Sequence, residues 1–182
     1  GVRVRAREPR LDMTVLSVRS ARPADGRRIA QVHVRSWTEA HAGTMPRSLS
    51  DALDEDLSAW RWEVRLAGGT PAGAERLGDA WVADVDGRVV GFASAGPTRD
   101  PDLPADQREL YALYVLAQHH GTGVGPALLE AALGGEPASL WVLDGNDRAV
   151  AFYLKHGFRP DGARRDDERW GDPLHQVRLA RP

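Results

Sequence analysis

Residues 109–133 read ELYALYVLAQHHGTGVGPALLEAAL, and this stretch decides the fold. An apolar run with strand character leads into a turn broken by Gly121, Gly123 and Gly125, and the turn opens directly into an amphipathic helix. Such a junction traps anions. Glycine lets the backbone turn and approach a ligand closely, and the first N–H groups of a helix lack intrahelical partners and point at whatever sits at its mouth. A phosphate group is the expected guest. The glycines alone leave several readings open. A Walker loop fails, because no Gly-Lys-Ser/Thr closes the turn. A dinucleotide or methyl-donor fold gains from Asp144, which closes the next apolar run where a ribose-binding acid would sit. That fold, however, places its glycine turn after the first strand, and here the turn comes late with too little chain behind it.

A second stretch settles the comparison. Residues 146–158, NDRAVAFYLKHGF, follow the strand-like run 139–143 and read as a short helix ended by Gly157, with an aromatic residue, Phe158, after it. Together the two stretches resemble the GNAT superfamily of acyl-coenzyme A-dependent N-acetyltransferases. Gln118-His119-His120-Gly121-Thr122-Gly123 is similar to its (Arg/Gln)-x-x-Gly-x-(Gly/Ala) pyrophosphate motif, and residues 146–158 are similar to its Asn-x-x-Ala-x-x-x-Tyr-x-x-x-Gly-Phe segment. The resemblance is specific over about 109–162, looser upstream through SVRSARPADGRRIAQVHVRSW, and weakest over 48–78.

What the resemblance implies is concrete. Acetyl-coenzyme A is the cofactor, its pyrophosphate held by Gln118, His119, His120, Gly121, Thr122, Gly123, Val124 and Gly125. Leu113, Val115 and Ala117 offer backbone groups to the pantetheine arm, with the Val115 N–H as a donor to the thioester carbonyl. Asn146 and Ala149 add contacts from the last helix, although Asn146 has an ordinary explanation as a helix N-cap. Pro126 departs from the pattern: it removes an N–H and stands where the family often has a cation.

The resemblance also makes Glu109 the candidate base, since many family members carry an acid at this spacing from the motif; strand alternation puts it on one face with Tyr111, Leu113 and Val115. A carboxylate needs burial or a relaying water to take a proton from an ammonium group efficiently. Tyr153 by its position reads as part of a core aromatic stripe; the matched motif implies instead a hydroxyl that protonates or hydrogen-bonds the departing thiolate. Helices early in the chain shape the acceptor pocket in this superfamily, which brings forward Trp37, His41 and Trp62, with Tyr111 on the strand. Trp37 and Trp60 also fall on apolar stripes and read as packing residues. His119 and His120 make a poor metal pair, since adjacent side chains diverge and no third ligand is evident.

Composition narrows the rest. The chain has 182 residues and no cysteine, and its formal net charge is -2. Disulfides, thiolate catalysis and cysteine-metal sites are excluded, and the mixed charge gives no bulk case for nucleic acid or an anionic membrane. No apolar run approaches a membrane span, so a cytoplasmic protein is expected, monomeric or homodimeric. The arginine-rich residues 1–12 read as a mobile arm, and 13–182 as one domain. The expected partner is a small-molecule, protein or peptide amine. The alternatives are a non-catalytic acyl-coenzyme A sensor and a methyl-donor or dinucleotide enzyme.

Along the chain, the patterns predict a strand over 16–22 and a helix of about 15 residues after Pro23-Ala24-Asp25. A second helix is predicted from about residue 50, with Leu53, Leu57, Trp60 and Val64 on its buried face. A hairpin turns at Asp86-Gly87. Strand and helix then alternate through 108–115, 123–133, 138–143 and 146–156, and the chain closes with an antiparallel pair over 158–170 and 175–180. The predicted class is α+β: a central mixed, mostly antiparallel sheet flanked by helices on both faces.

Overall fold

The tight turn at Asp86-Gly87 shows how local chemistry builds the sheet. Both residues take positive φ, 52° and 82°, the geometry whose twist matches that of the flanking strands, and the Asp84 carboxylate accepts the Gly87 N–H at 2.7 Å. In the computed structural model, which describes residues 14–40, 54–70, 78–168 and 173–182, this turn joins β2 (Asp79–Val85) to β3 (Arg88–Pro97). The other strands are β1 (Leu16–Ser20), β4 (Arg108–Val115), β5 (Ala138–Leu143), β6 (Arg159–Asp167) and β7 (Leu174–Arg181). Among the described residues they form one sheet in the order β1-β2-β3-β4-β5-β7-β6. Every pairing is antiparallel except β4 with β5. The expected class holds.

Helices cover both faces. Neighbouring residues of a strand point to opposite sides, and β3 makes the division visible. Phe92 packs against His33 of α1 (Gly26–Ala40) and Trp62 of α2 (Glu55–Leu66), whereas a Cβ on Gly91 would meet Leu128 of α3 (Val124–Leu133). On one side lie Ile29, Ala30 and Val32 of α1; on the other, Val124, Leu128, Leu129, Ala132 and Leu133 of α3 are all buried. A short α4 (Asp147–Lys155) follows β5, capped by the Asn146 side chain, which accepts the Ala149 N–H at 3.1 Å. None of these helices is long and apolar enough to cross a membrane.

Three expectations need correction. The opening strand ends at Ser20, because the chain turns into the 3-10 segment Pro23–Asp25, where the buried Asp25 carboxylate takes the Arg22 N–H and the Arg19 guanidinium. Helix α2 buries Ala59 and packs Trp62 and Leu66 against the core, leaving Leu57 and Trp60 exposed; residues 50–53 lie outside the described residues. Two stripes of helical spacing compete in that segment, and the one whose tryptophan packs edge-on against Phe92 wins. The third correction concerns β4. Its register with β3 slips between Ala95↔Leu110 and Ser94↔Ala112, a bulge that reverses the alternation partway along the strand.

Candidate functional site

The parallel pairing of β4 and β5 ends at Leu110↔Leu140. Beyond it β4 stays with β3 as far as Val115 and β5 stays with β7 as far as Leu143, so the two strands part and leave a wedge. A cleft of about 640 Å3 occupies it, with β4 and the glycine turn on one wall and β5 and α4 on the other.

The open strand edge offers paired donors and acceptors. The Leu116 N–H bonds to the Val90 carbonyl, which makes Gly91↔Val115 a non-hydrogen-bonded pair of the ladder. The N–H and carbonyl of Val115, and by the same alternation those of Leu113, therefore point away from β3 and toward the cleft. The Val115 carbonyl already faces His120, whose Nε2 lies 2.8 Å away. The Ala117 N–H is taken at 3.0 Å by the Glu39 carboxylate at the end of α1. That bond, with the Arg35 guanidinium beside it, holds the Glu39 carboxyl below the usual range.

The turn supplies the anion cradle. Gly121 and Gly123 have φ of 76° and 91°, the left-handed region that glycine adopts without strain. The amides of Gly121, Gly123, Val124 and Gly125 make no backbone hydrogen bond among the described residues, while those of His119, His120, Thr122 and Ala127 do. Gly125 serves a different purpose, since a Cβ there would lie 3.2 Å from the Phe152 ring of α4.

Most of the predicted residues meet in this one cleft: Leu113, Val115, Ala117, His119, His120, Gly121, Gly123 and Gly125 from β4 and the turn, Ala149 and Tyr153 from α4 with its cap Asn146, and Trp37 and Tyr111. Others stand elsewhere. The Val124 side chain is core, Gln118 pairs with His119 outside the wall, and the Thr122 hydroxyl donates to the His119 carbonyl. Trp62 packs on Phe92 beneath the Arg65 guanidinium rather than lining the cleft. His41 lies outside the described residues.

Glu109 is fully buried and is not on the cleft wall. Its carboxylate accepts the Arg99 N–H at 2.7 Å and the Arg99 guanidinium at 2.6 Å and 3.2 Å. It shares a side with Tyr111 but not, as expected, with Leu113 and Val115. After the bulge it is Ala112 and Tyr114 that face α1, and Val115 lies with Gly91 toward α3.

Tyr153 is 8% exposed, set between the rings of Phe152 and Phe158. Its hydroxyl makes no hydrogen bond among the described residues, and burial pushes its pKa well up. Tyr114, absent from the sequence reading, is a second, half-buried phenol in the cleft; the Trp37 indole donates to its oxygen at 2.9 Å, and desolvation raises its pKa as well. Only the bulge turns Tyr114 to this side, and a bulge leaves no mark in the sequence. Glu39 was likewise missed, since its target lies 78 residues away.

Behind Tyr114, His33 sits among the rings of Trp37, Phe92 and Tyr114, and burial lowers its pKa to about 4. The sign follows from linkage. Between about pH 6.5 and pH 4 the unfolded chain protonates this histidine and the folded protein does not, so stability falls as pH drops through that window. The loss amounts to about 2–3 kcal/mol. Thermal melts of the wild type should decline between pH 6.5 and 4, and His33→Phe should flatten that slope. Equal slopes in the two proteins would remove His33 as the cause; Asp25 and Glu39, whose carboxyls are held below 3.8 and 4.5 by their hydrogen bonds, add to the decline only toward the acid end of this range, and do so equally in both proteins.

Comparison with known proteins gives a consistent result. The profile of the acetyltransferase (GNAT) domain matches residues 76–160. A probable N-acetyltransferase of Mycobacterium tuberculosis is 30% identical over 151 residues, covering 81% of this chain and 82% of its own. An uncharacterized N-acetyltransferase of Bacillus subtilis is 31% identical over 176 residues, covering 92% and 94%. Among solved structures, an N-acetyltransferase from Thermoplasma acidophilum in complex with coenzyme A superposes with a TM-score of 0.63 at 16% identity, covering 92% of this chain and 98% of that one.

Proposed function

The chain belongs to the GNAT acetyltransferase family and is an N-acetyltransferase, and on that premise we propose that it moves an acetyl group from acetyl-coenzyme A to a primary amine by direct attack, with both held in the wedge. The observation that carries the reading is the parting of β4 and β5 beside a turn with free amides. The residues fit the cofactor. Gly121, Gly123, Val124 and Gly125 would hold the pyrophosphate through their N–H groups, aided by the α3 dipole. Leu113 and Val115 would pair with the pantetheine amides, and the Asn146 and Ala149 side of α4 would close over the arm. Bound acetyl-coenzyme A supplies an activated acetyl thioester.

The rest is the work of the chain's own residues. With no cysteine to carry an acyl group, the amine attacks directly in its neutral form: the N–C bond forms, the C–S bond breaks, and the proton shed by the nitrogen balances the thiolate that leaves as thiol. The Val115 N–H is placed to polarise a carbonyl on the cleft side of β4. Tyr153 stays protonated at every working pH because its pKa is raised. A phenol so much weaker as an acid than a thiol of pKa about 8.5 stabilises the departing thiolate by hydrogen bonding more than by full transfer. Tyr111 and Trp37 lie on the acceptor side, toward α1. Glu109 acts as a positioning residue: it fixes Arg99, whose guanidinium lies 4.3 Å from the centre of the Tyr111 ring.

A melting-temperature screen with acetyl-, propionyl- and succinyl-coenzyme A, followed by an amine panel with thiol detection, tests the reading. Stabilisation without thiol release from any amine would indicate an acyl-coenzyme A sensor instead. Tyr153→Phe tests the leaving-group role. It removes one oxygen and keeps the ring, so kcat should fall roughly 10- to 100-fold with acetyl-coenzyme A affinity nearly intact. Wild-type turnover in the folded variant would return Tyr153 to the core.

A further inference from the structure

A second concavity, of about 290 Å3, lies away from the wedge, between α1 and the β2–β3 turn. Arg28, Gln31 and Arg35 line it from one stripe of α1, at the spacing of successive helical turns, and Arg88 lines it from the start of β3, along with Leu116. The charge there is one-sided. Arg28 and Arg88 make no ion pair or side-chain hydrogen bond among the described residues, whereas Arg19, Arg27, Arg99, Arg164 and Arg178 all pair with carboxylates. The nearby acids are committed elsewhere: Asp84 to the Gly87 N–H, Asp86 to the Val15 N–H, and Asp25 to Arg19 and the Arg22 N–H. Arg28 and Arg88 line one hollow with no carboxylate of the described residues in direct contact, and such guanidinium groups match a phosphate or carboxylate group, which they grip in a planar fork.

Arg35 links this hollow to the wedge. Its Nε donates at 2.8 Å to Glu39, and Glu39 in turn accepts the Ala117 N–H at 3.0 Å, at the start of the segment that leads into the glycine turn. Leu116, the residue before Ala117, also lines the hollow. An anion that draws Arg35 toward Arg28 and Arg88 removes the cation that balances Glu39, and leaves an uncompensated carboxylate facing the cleft. We propose that this hollow is a regulatory site for a small multivalent oxyanion, of phosphate or carboxylate type, whose occupancy weakens the binding of the anionic cofactor through Arg35 and Glu39. The linkage to the cofactor rests on the reading of the wedge given above; the site itself does not.

Inorganic phosphate is the first probe and citrate the second, which separates phosphate from carboxylate preference. Ionic strength is held constant with sodium chloride, because exposed arginines respond to salt as such. In the wild type, one or both probes should raise the melting temperature saturably, in the millimolar range, and saturating probe should weaken acetyl-coenzyme A binding about 2- to 5-fold. Both effects should vanish in Arg28→Gln/Arg88→Gln, which should keep the wild-type response to acetyl-coenzyme A alone. That last measurement reads the cofactor assignment independently of the new site. The proposal is overturned by the absence of a saturable rise, by a rise that survives in the double variant, by a rise that disappears in Gly123→Glu, or by unchanged cofactor affinity at saturating probe.

Discussion

Gly123→Glu should abolish acetyl-coenzyme A binding in a protein that still folds. Position 123 combines two properties that separate binding from folding. Its φ of 91° strains any side-chain-bearing residue, at a cost of about 1–2 kcal/mol. Yet an added Cβ there meets nothing within 4 Å, so the larger residue has room in the free protein. The melting temperature should therefore drop by only about 2–8 °C. Binding suffers far more, because the new carboxylate stands among the free amides of Gly121, Val124 and Gly125. There it competes for the donors that a pyrophosphate would use and repels the pyrophosphate's charge. Titration calorimetry should show affinity reduced by at least about 100-fold, equivalent to roughly 2.7 kcal/mol. Gly123→Ala provides the scale: it introduces the strain without the charge and should lose an order of magnitude or less. Unchanged affinity in the Glu variant would overturn the assignment of the turn.

The contrast between turn and strand explains how far the sequence could be read. The turn was legible because glycine at 121 and 123 answers a local demand, positive φ, that few other residues meet. The Asp86-Gly87 hairpin and the Asn146 cap were legible for the same reason: one or two residues settle the geometry around them. What escaped depended on contacts between distant segments. The bulge in β4 arises from its fit against β3, and it decides that Tyr114 rather than Leu113 faces α1. The buried face of α2 is chosen by Phe92, far along the chain. The partner of Glu109 sits in the loop before its strand, with no motif to announce it.

Glu109→Gln therefore carries the largest expected loss of stability and decides between two roles. As a base, Glu109 would lose kcat by about 10²- to 10⁴-fold on amidation, with partial recovery as rising pH deprotonates the amine unaided. The geometry favours a positioning role. The side chain is 0% exposed, and both carboxylate oxygens accept hydrogen bonds from Arg99. Glutamine keeps one acceptor and turns an N–H group toward the backbone amide or the guanidinium, and a cation only 25% exposed loses the Glu109 charge. Breaking a buried pair from one side costs about 3–5 kcal/mol, and the partial exposure of Arg99 reduces this to about 2–4 kcal/mol. The melting temperature should fall by roughly 5–15 °C. Activity of the folded fraction should drop by a similar factor at every pH from 6.5 to 9, as Arg99 and the Tyr111 ring beneath it lose their setting. Recovery at high pH would instead restore Glu109 as the base. A double variant, Arg99→Gln/Glu109→Gln, closes the argument on stability. Removing both charges leaves nothing buried and unpaired, so its loss should be smaller than the sum of the two single losses. Strict additivity would mean that the two side chains contribute separately and that Glu109 does not act through Arg99.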